Sequence, residues 1–358
     1  MKILQVITSL RIGGAEKLIT EITPMLREKG HQVDVLSFDG VNTHFKQMLV
    51  EQGVKVISFG QNCNIYNPLF LFRLARLMKH YDIVHTHNTA PQLFAAIGSV
   101  LCSVVLVTTE HNTSNRRRDW KWYAPLDKWM YSQYKKVICI SDKAKENLHE
   151  AHPSLNNLCT VYNGVNVTKY HNAQPITSML QDSKVHIVMV AGFRYQKDQD
   201  TLIKSLCHLD KGKYVLWLVG DGERREELER LTASMNLSEQ VKFLGIRADI
   251  PEILQTADIV VMSSHFEGLS LSSVEGMSVG KPFVASDVDG LHEVVKGYGL
   301  LFPHGDDKAL ADIIMRLSQD PVYYKNIAEK CWERAQMYDI QRMVDCYNQV
   351  YMDCILNH

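Results

Sequence analysis

The chain opens Met1-Lys2-Ile3-Leu4-Gln5-Val6-Ile7-Thr8-Ser9-Leu10-Arg11-Ile12-Gly13-Gly14-Ala15-Glu16-Lys17. An apolar, β-branched run comes first, then a turn with two adjacent glycines, then an amphipathic stretch at helical spacing. Strand, glycine turn and helix in that order form the first element of a parallel α/β sheet. The glycines let backbone amides approach an anion at a helix N-terminus, where the dipole also favours negative charge. Two readings fit this turn: a phosphate cradle, or a tight turn and nothing more. The spacing is not Gly-x-Gly-x-x-Gly, and only Asp39 stands near the end of the second strand, so a nicotinamide dinucleotide is disfavoured.

The same alternation continues outward from this segment. Strands are expected at 3–8, 32–37, 55–58, 82–86, 104–109 and 136–140, and again at 186–191, 214–219, 241–244, 259–262 and 282–285, with helical stretches between them. Two similar α/β units therefore follow one another, and ligands of such sheets usually bind at the carboxyl ends of the strands, here in a cleft between the units. The stretch 163–184 contains Gly164 and Pro175 and has no apolar period. It places the first unit at 1–165, a linker at 166–184 and the second unit at 185–337. Beyond Pro303 the pattern is helical, near 306–318, 321–337 and 340–355. The last carries Met343, Val344, Tyr347, Val350, Tyr351 and Cys354 on one face, which needs a partner.

A length of 358 residues suits two domains, and a composition of 46% hydrophobic and 22% charged residues excludes disorder. Lys and Arg number 39 against 40 Asp and Glu, a net charge of -1, so no global attraction to nucleic acid or anionic lipid exists. No apolar run reaches the ~20 residues of a membrane span, and the first residues lack a signal-peptide core. The eight cysteines are scattered without a Cys-x-x-Cys pair. Reduced thiols and a cytoplasmic location are expected.

Two further segments carry chemistry. Ala191-Gly192-Phe193-Arg194-Tyr195-Gln196-Lys197-Asp198 leaves the first strand of the second unit. Arg194 and Lys197 at a strand end could neutralise a departing diphosphate, or could be a solvated cation pair. Ser264-His265-Phe266-Glu267-Gly268-Leu269-Ser270-Leu271-Ser272-Ser273-Val274-Glu275-Gly276-Met277 follows the strand 259–262. Two carboxylates around an amide-rich helix start suit a ligand that carries phosphates and polyols together, such as a nucleotide sugar.

These segments, with Thr109-Glu110-His111-Asn112, Tyr162-Asn163-Gly164-Val165, Gly220-Asp221-Gly222-Glu223 and Phe243-Leu244-Gly245, resemble glycosyltransferase family 4 over nearly the whole chain. The resemblance implies an α/β GT-B fold: two Rossmann-like doubly wound domains facing a cleft, with the C-terminal helix, about 340–358, returning to the N-terminal, acceptor-binding domain. It implies a retaining transfer of a sugar from a nucleotide-diphosphate donor, of UDP or GDP type, to a hydroxyl acceptor. Bacterial polysaccharide, lipopolysaccharide or capsule assembly is the implied setting. By position, Arg194 and Lys197 hold the diphosphate, Glu267 contacts donor-sugar hydroxyls and His111 lies near the transferred sugar. Gly13 and Gly14 present amides to phosphate, Glu275 binds the ribose, Gly268, Leu269 and Ser270 offer amides, and backbone from Gly245 to Arg247 meets the base. The family's usual Lys-Gly is Lys197-Asp198 here, and Gly290-Leu291 replaces a Gly-Gly turn.

With no evident carboxylate nucleophile, attack on the same face as the leaving diphosphate is expected rather than double displacement. No Asp-x-Asp is read as a metal–diphosphate bridge, so neither a metal nor another cofactor is expected. Arg116, Arg117, Arg118, Trp120, Lys121 and Trp122 interleave cations with aromatics. They form a candidate acceptor site or a peripheral contact with an anionic membrane at its inner face, or an ordinary basic helix with its aromatics inward. No nucleic-acid motif is present. His31, His85 and His87 are expected to pack or cap rather than bind metal. Two other functions fit a similar fold: a nucleotide-sugar 2-epimerase and a non-catalytic nucleotide-sugar-binding protein.

Overall fold

The computed structural model describes residues 1–11, 13–60, 64–111, 124–268 and 270–356. The chain divides into two compact units, Met1–Asn163 with Gln341–His358, and Gly164–Ile340. The first holds a seven-stranded parallel sheet of β1 (Lys2–Ile7), β2 (Gln32–Ser37), β3 (Val56–Ser58), β4 (Ile83–His87), β5 (Val105–Glu110), β6 (Lys136–Cys139) and β7 (Leu158–Thr160), in the order β3-β2-β1-β4-β5-β6-β7. The second holds a six-stranded parallel sheet of β8 (Val185–Val190), β9 (Tyr214–Val219), β10 (Val241–Gly245), β11 (Ile259–Met262), β12 (Phe283–Ser286) and β13 (Leu300–Phe302), in the order β10-β9-β8-β11-β12-β13. Both start at a central strand and reverse direction beside it, the Rossmann winding.

Every expected strand forms, its ends within one residue of the expectation. Two strands, β7 and β13, were not expected. Each is a three-residue edge strand, mostly half-buried, too short for a period to register. The central strands are buried on both faces, as crossover helices require. In β1 the side chains alternate: Leu4 and Val6 enter one core cluster with Phe38 and Leu106, while Ile7 enters another with Ile19 and Val35.

Residues 166–184, expected as a linker, group with the second unit. Val167 and Tyr170, on the short helix Val167–His171, are buried in that unit's core. The absence of an apolar period reflects a helix too short to display one. The C-terminal helix Ile340–Leu356 packs on the first unit, as expected. Tyr347 and Tyr351 are fully buried there, and Asn348 meets the His31 ring at 2.7 Å. The seven described cysteines are all free, with Cys207 and Cys346 exposed and the others at least partly buried.

Candidate functional site

In the second unit, the order β8-β11 places the turns after these strands side by side. Phe193, 1% exposed, anchors the first turn in the core, and its amide donates to the Asp221 carbonyl at 3.0 Å. Arg194 is exposed, and among the described residues no carboxylate forms an ion pair with it. Lys197 reaches across to Glu267 in an ion pair whose carboxylate side chain is only 7% exposed. Ser264 Oγ donates to the same Glu267 oxygen at 2.7 Å.

Backbone bonds staple the two turns. The amide of His265 donates to the Gln196 carbonyl at 2.8 Å, Gln196 Nε2 to the Phe266 carbonyl at 3.0 Å, and Ser263 Oγ to the Asp198 carbonyl at 2.7 Å. The residues assigned to the diphosphate and to the sugar thus form one preorganised unit, with Lys197 and Glu267 neutralising each other. Asp198 occupies a left-handed conformation, φ 47°, where the family's glycine would be at ease. Its side chain offsets that strain by capping the helix Gln199–Ser205, accepting from Thr201 Oγ1 at 2.6 Å and from the Thr201 amide at 3.3 Å.

Glu275 is buried in the helix Leu271–Ser278, whose N-cap Ser270 makes no side-chain cap bond. No side-chain cap from Ser270 competes at that helix start, where an anion is favoured. Leu269 lies outside the described residues. Gly290 packs on this turn at φ 80°, and a methyl group there would lie 2.6 Å from the Glu267 carbonyl oxygen. The single remaining glycine of that turn thus supports the Glu267–Gly268 backbone from behind. Gly245, at φ 68°, closes β10 and its carbonyl accepts from the Gly220 amide at 2.8 Å. The side chains beyond it, Ile246 and Arg247, are exposed, and Arg247 pairs with Asp249.

In the first unit, Gly13 is the N-cap of the helix Gly14–Glu28. The Glu16 carboxylate folds back against Gly13, and burial raises its pKa although its own amide and the Asn88 side chain donate to it. The cradle expected for phosphate thus has an acidic side chain at its mouth, which a phosphate would have to displace.

His111 ends a row of buried polar groups. Its Nε2 lies 2.8 Å from His87 Nδ1, and His87 Nε2 lies 2.8 Å from Gln5 Oε1. Gln5 Nε2 donates to Tyr351 Oη at 3.1 Å, Tyr351 Oη meets His85 Nδ1 at 2.6 Å, and His85 Nε2 meets Thr109 Oγ1 at 2.8 Å. The parallel register, Gln5 beside His85 and His87 beside Thr109, puts all four on one sheet face. Burial holds His111 down to about 4 and His85 to about 3, and lowers His87 as well, so the imidazoles are neutral near pH 7. With the Gln5 oxygen facing His87, the row has one consistent donor direction: His87 Nε2–H donates to Gln5, and His111 Nε2–H donates to His87. His111 Nδ1 is left as a lone pair. Arg116, Arg117, Arg118, Trp120, Lys121 and Trp122 lie outside the described residues.

Two family models match the chain, "Glycosyltransferase Family 4" over residues 12–169 and "Glycosyl transferases group 1" over residues 174–336. A UDP-Gal:alpha-D-GlcNAc-diphosphoundecaprenol alpha-1,3-galactosyltransferase of Escherichia coli is 27% identical over 94% of this chain and 90% of its own. An N-acetyl-alpha-D-glucosaminyl L-malate synthase of Bacillus anthracis is 23% identical over 96% and 95%. Among solved structures, Anabaena HepE in complex with UDP superposes with a TM-score of 0.86 at 24% identity, covering 99% of this chain and 100% of that one. The two parallel sheets, the family models and these relatives agree: the chain belongs to glycosyltransferase family 4 and is a glycosyltransferase with the GT-B fold.

Proposed function

We propose that the enzyme is a retaining glycosyltransferase that moves a hexose from a uridine-diphosphate sugar to a hydroxyl of a glycan or lipid-linked acceptor, in cell-surface polysaccharide, lipopolysaccharide or capsule assembly. The observation that carries this reading is the stapled pair of turns after β8 and β11, which puts Arg194, paired with no described carboxylate, in the same turn as the Lys197 of the Lys197–Glu267 pair. The relatives support it: the E. coli relative is named for transfer from UDP-Gal, and HepE structures hold UDP and UDP-glucose.

In this reading Arg194 and Lys197 take the diphosphate charge as the glycosidic bond breaks, which is where stabilisation lowers the barrier. The incoming diphosphate competes with Glu267 for Lys197. Glu267, released in part, accepts hydrogen bonds from sugar hydroxyls, and Glu275 accepts from the ribose. Gly268, Leu269 and Ser270 present amides, Gly245 flanks the base, and Gly13, Gly14 and His111 keep the roles the resemblance assigns them. The acceptor attacks on the face the diphosphate leaves, its proton passing to the leaving phosphate oxygen. No metal takes part in the transfer itself, so adding magnesium or manganese to chelator-treated enzyme leaves turnover unchanged; activity that vanishes with chelator and returns with magnesium would overturn this point. The basic and aromatic residues 116–122 contact anionic lipid, a reading supported by the exposed Leu126 and Trp129 that follow them. Co-sedimentation with vesicles with and without anionic lipid tests it.

A thermal-shift screen of UDP-, GDP-, ADP- and TDP-sugars tests the donor, since a ligand at ~100 times its Kd adds ~2.7 kcal/mol. UDP-sugars should raise the Tm most, and incubation with donor alone should release UDP slowly without epimerising the sugar. A 2-epimer as the sole product would contradict transfer.

A further inference from the structure

Three side chains of the second unit converge beside the stapled turns, and the donor chemistry uses none of them. Asp198 ends the turn after β8, His265 lies in the turn after β11, and His304 follows β13. One ligand atom from each lies within 4.8 Å of the others. His265 Nδ1 and His304 Nε2 face each other at 2.6 Å, and His265 Nδ1 is 3.7 Å from Asp198 Oδ2. Among the described residues His265 is the only ion-pair partner of the Asp198 carboxylate, whose side chain is 4% exposed. Thr201 holds this carboxylate by two hydrogen bonds, and a cation between it and the two rings would balance its charge.

We propose that Asp198, His265 and His304 bind a transition-metal dication, zinc(II) being the best match. Two imidazoles and one carboxylate suit zinc, nickel or copper, whereas magnesium and calcium need more oxygen ligands than one carboxylate supplies. Around tetrahedral zinc, with bonds of ~2.0 Å, ligand atoms stand about 3.3 Å apart. The two imidazoles therefore open by about 0.7 Å, Asp198 closes on His265 by about 0.4 Å, and His304 and Asp198, within 4.8 Å of each other, close to the same spacing; His304 is exposed, so its ring can move. On zinc binding, the ring that carries the hydrogen between them takes it up on its other nitrogen through solvent, so both facing nitrogens present lone pairs. The bond from Thr201 Oγ1 to Asp198 Oδ2 at 2.6 Å orients the carboxylate as an outer-shell partner. Water fills the fourth position. The metal would clamp the turn of Lys197 to that of Glu267 without touching either.

The test is calorimetric titration of zinc chloride into the untagged, chelator-treated full chain, with magnesium chloride as the control. One zinc site per chain at micromolar affinity or tighter is expected, with no magnesium binding. His304→Ala should weaken zinc binding by about tenfold or more, leave the Tm of the metal-free chain unchanged and leave chelator-treated activity unchanged. Cobalt(II) in place of zinc should give visible d–d bands that His304→Ala abolishes. Zinc binding equal in wild type and His304→Ala, or no saturable site in wild type, would overturn the proposal.

Discussion

Lys197 and Glu267 show why single substitutions at this site need care. The pair is largely buried, so removing one partner strands the other charge in a poor solvent. Lys197→Ala should therefore lower stability by up to ~3 kcal/mol as well as slow transfer. In the double variant Lys197→Ala/Glu267→Gln the stranded charge is gone. Thermal unfolding should return most of the way to the wild-type Tm while transfer stays at least ~100-fold reduced; a double variant as unstable as Lys197→Ala would show that the pair does not carry that stability. The identities of Arg194, Lys197, Glu267 and Glu275 were legible in sequence, because a motif fixes residue types at fixed spacings. Their pairing was not: a lysine read as a phosphate ligand and a glutamate read as a sugar ligand sit 70 positions apart, and only the adjacency of β8 and β11 makes them partners. Asp198, His265 and His304 were hidden for the same reason, since three strand ends in one sheet have to be known before their distance means anything. Glu16 is a different case. A helix start rich in glycine fits a phosphate cradle or a plain tight turn, and a flexible acid one turn along can fold back onto it.

At the scale of elements, the C-terminal helix Ile340–Leu356 covers the polar stripe of the first sheet. Its apolar face announced itself by spacing, and so did its need for a partner, but the stripe beneath it did not. His85 and His87 are expected from sequence to pack or cap, and only the parallel register shows that Gln5 stands beside His85 on their face. Tyr351→Phe removes the hydroxyl that bridges Gln5 and His85, leaving buried polar groups unpaired at a cost of roughly 2–4 kcal/mol. It also frees Gln5 to flip. Nitrogen-15 spectra should then show loss of a single His111 tautomer, and an unchanged imidazole pattern would refute the directed row. The glycine turn behind Glu267 makes a second prediction. Gly290→Ala places a β-carbon in left-handed backbone and against a carbonyl, so it should cost about 2 kcal/mol or more. A Tm equal to wild type would show that the turn relaxes.

For the whole molecule, the alternation of strands and helices sufficed to give two parallel α/β units, because both-face burial leaves long β-branched runs that are hard to misread. The short edge strands and the helix Val167–His171 escaped because three to five residues cannot display a period. Acid response is a property of the whole chain. His85, His87 and His111 are held neutral by burial, with folded pKa values below the unfolded value near 6.5. The unfolded chain then binds more protons, so stability is intact above pH 6.5 and falls as pH drops toward 4, by up to ~1.4 kcal/mol per pH unit for each ring. Chemical denaturation at pH 7.5 and pH 5 should show the loss, whereas equal stabilities would mean the rings are solvated.

The turns after β8 and β11 are proposed to bind a diphosphate through Arg194. Because Arg194 is exposed and pairs with no described carboxylate, Arg194→Ala should leave the Tm unchanged, which makes it the cleanest probe. Calorimetric titration of UDP into wild type and Arg194→Ala is the direct measurement. Saturable binding by wild type, weakened about tenfold or more in the variant, is the predicted result; equal affinities in the two proteins would contradict it.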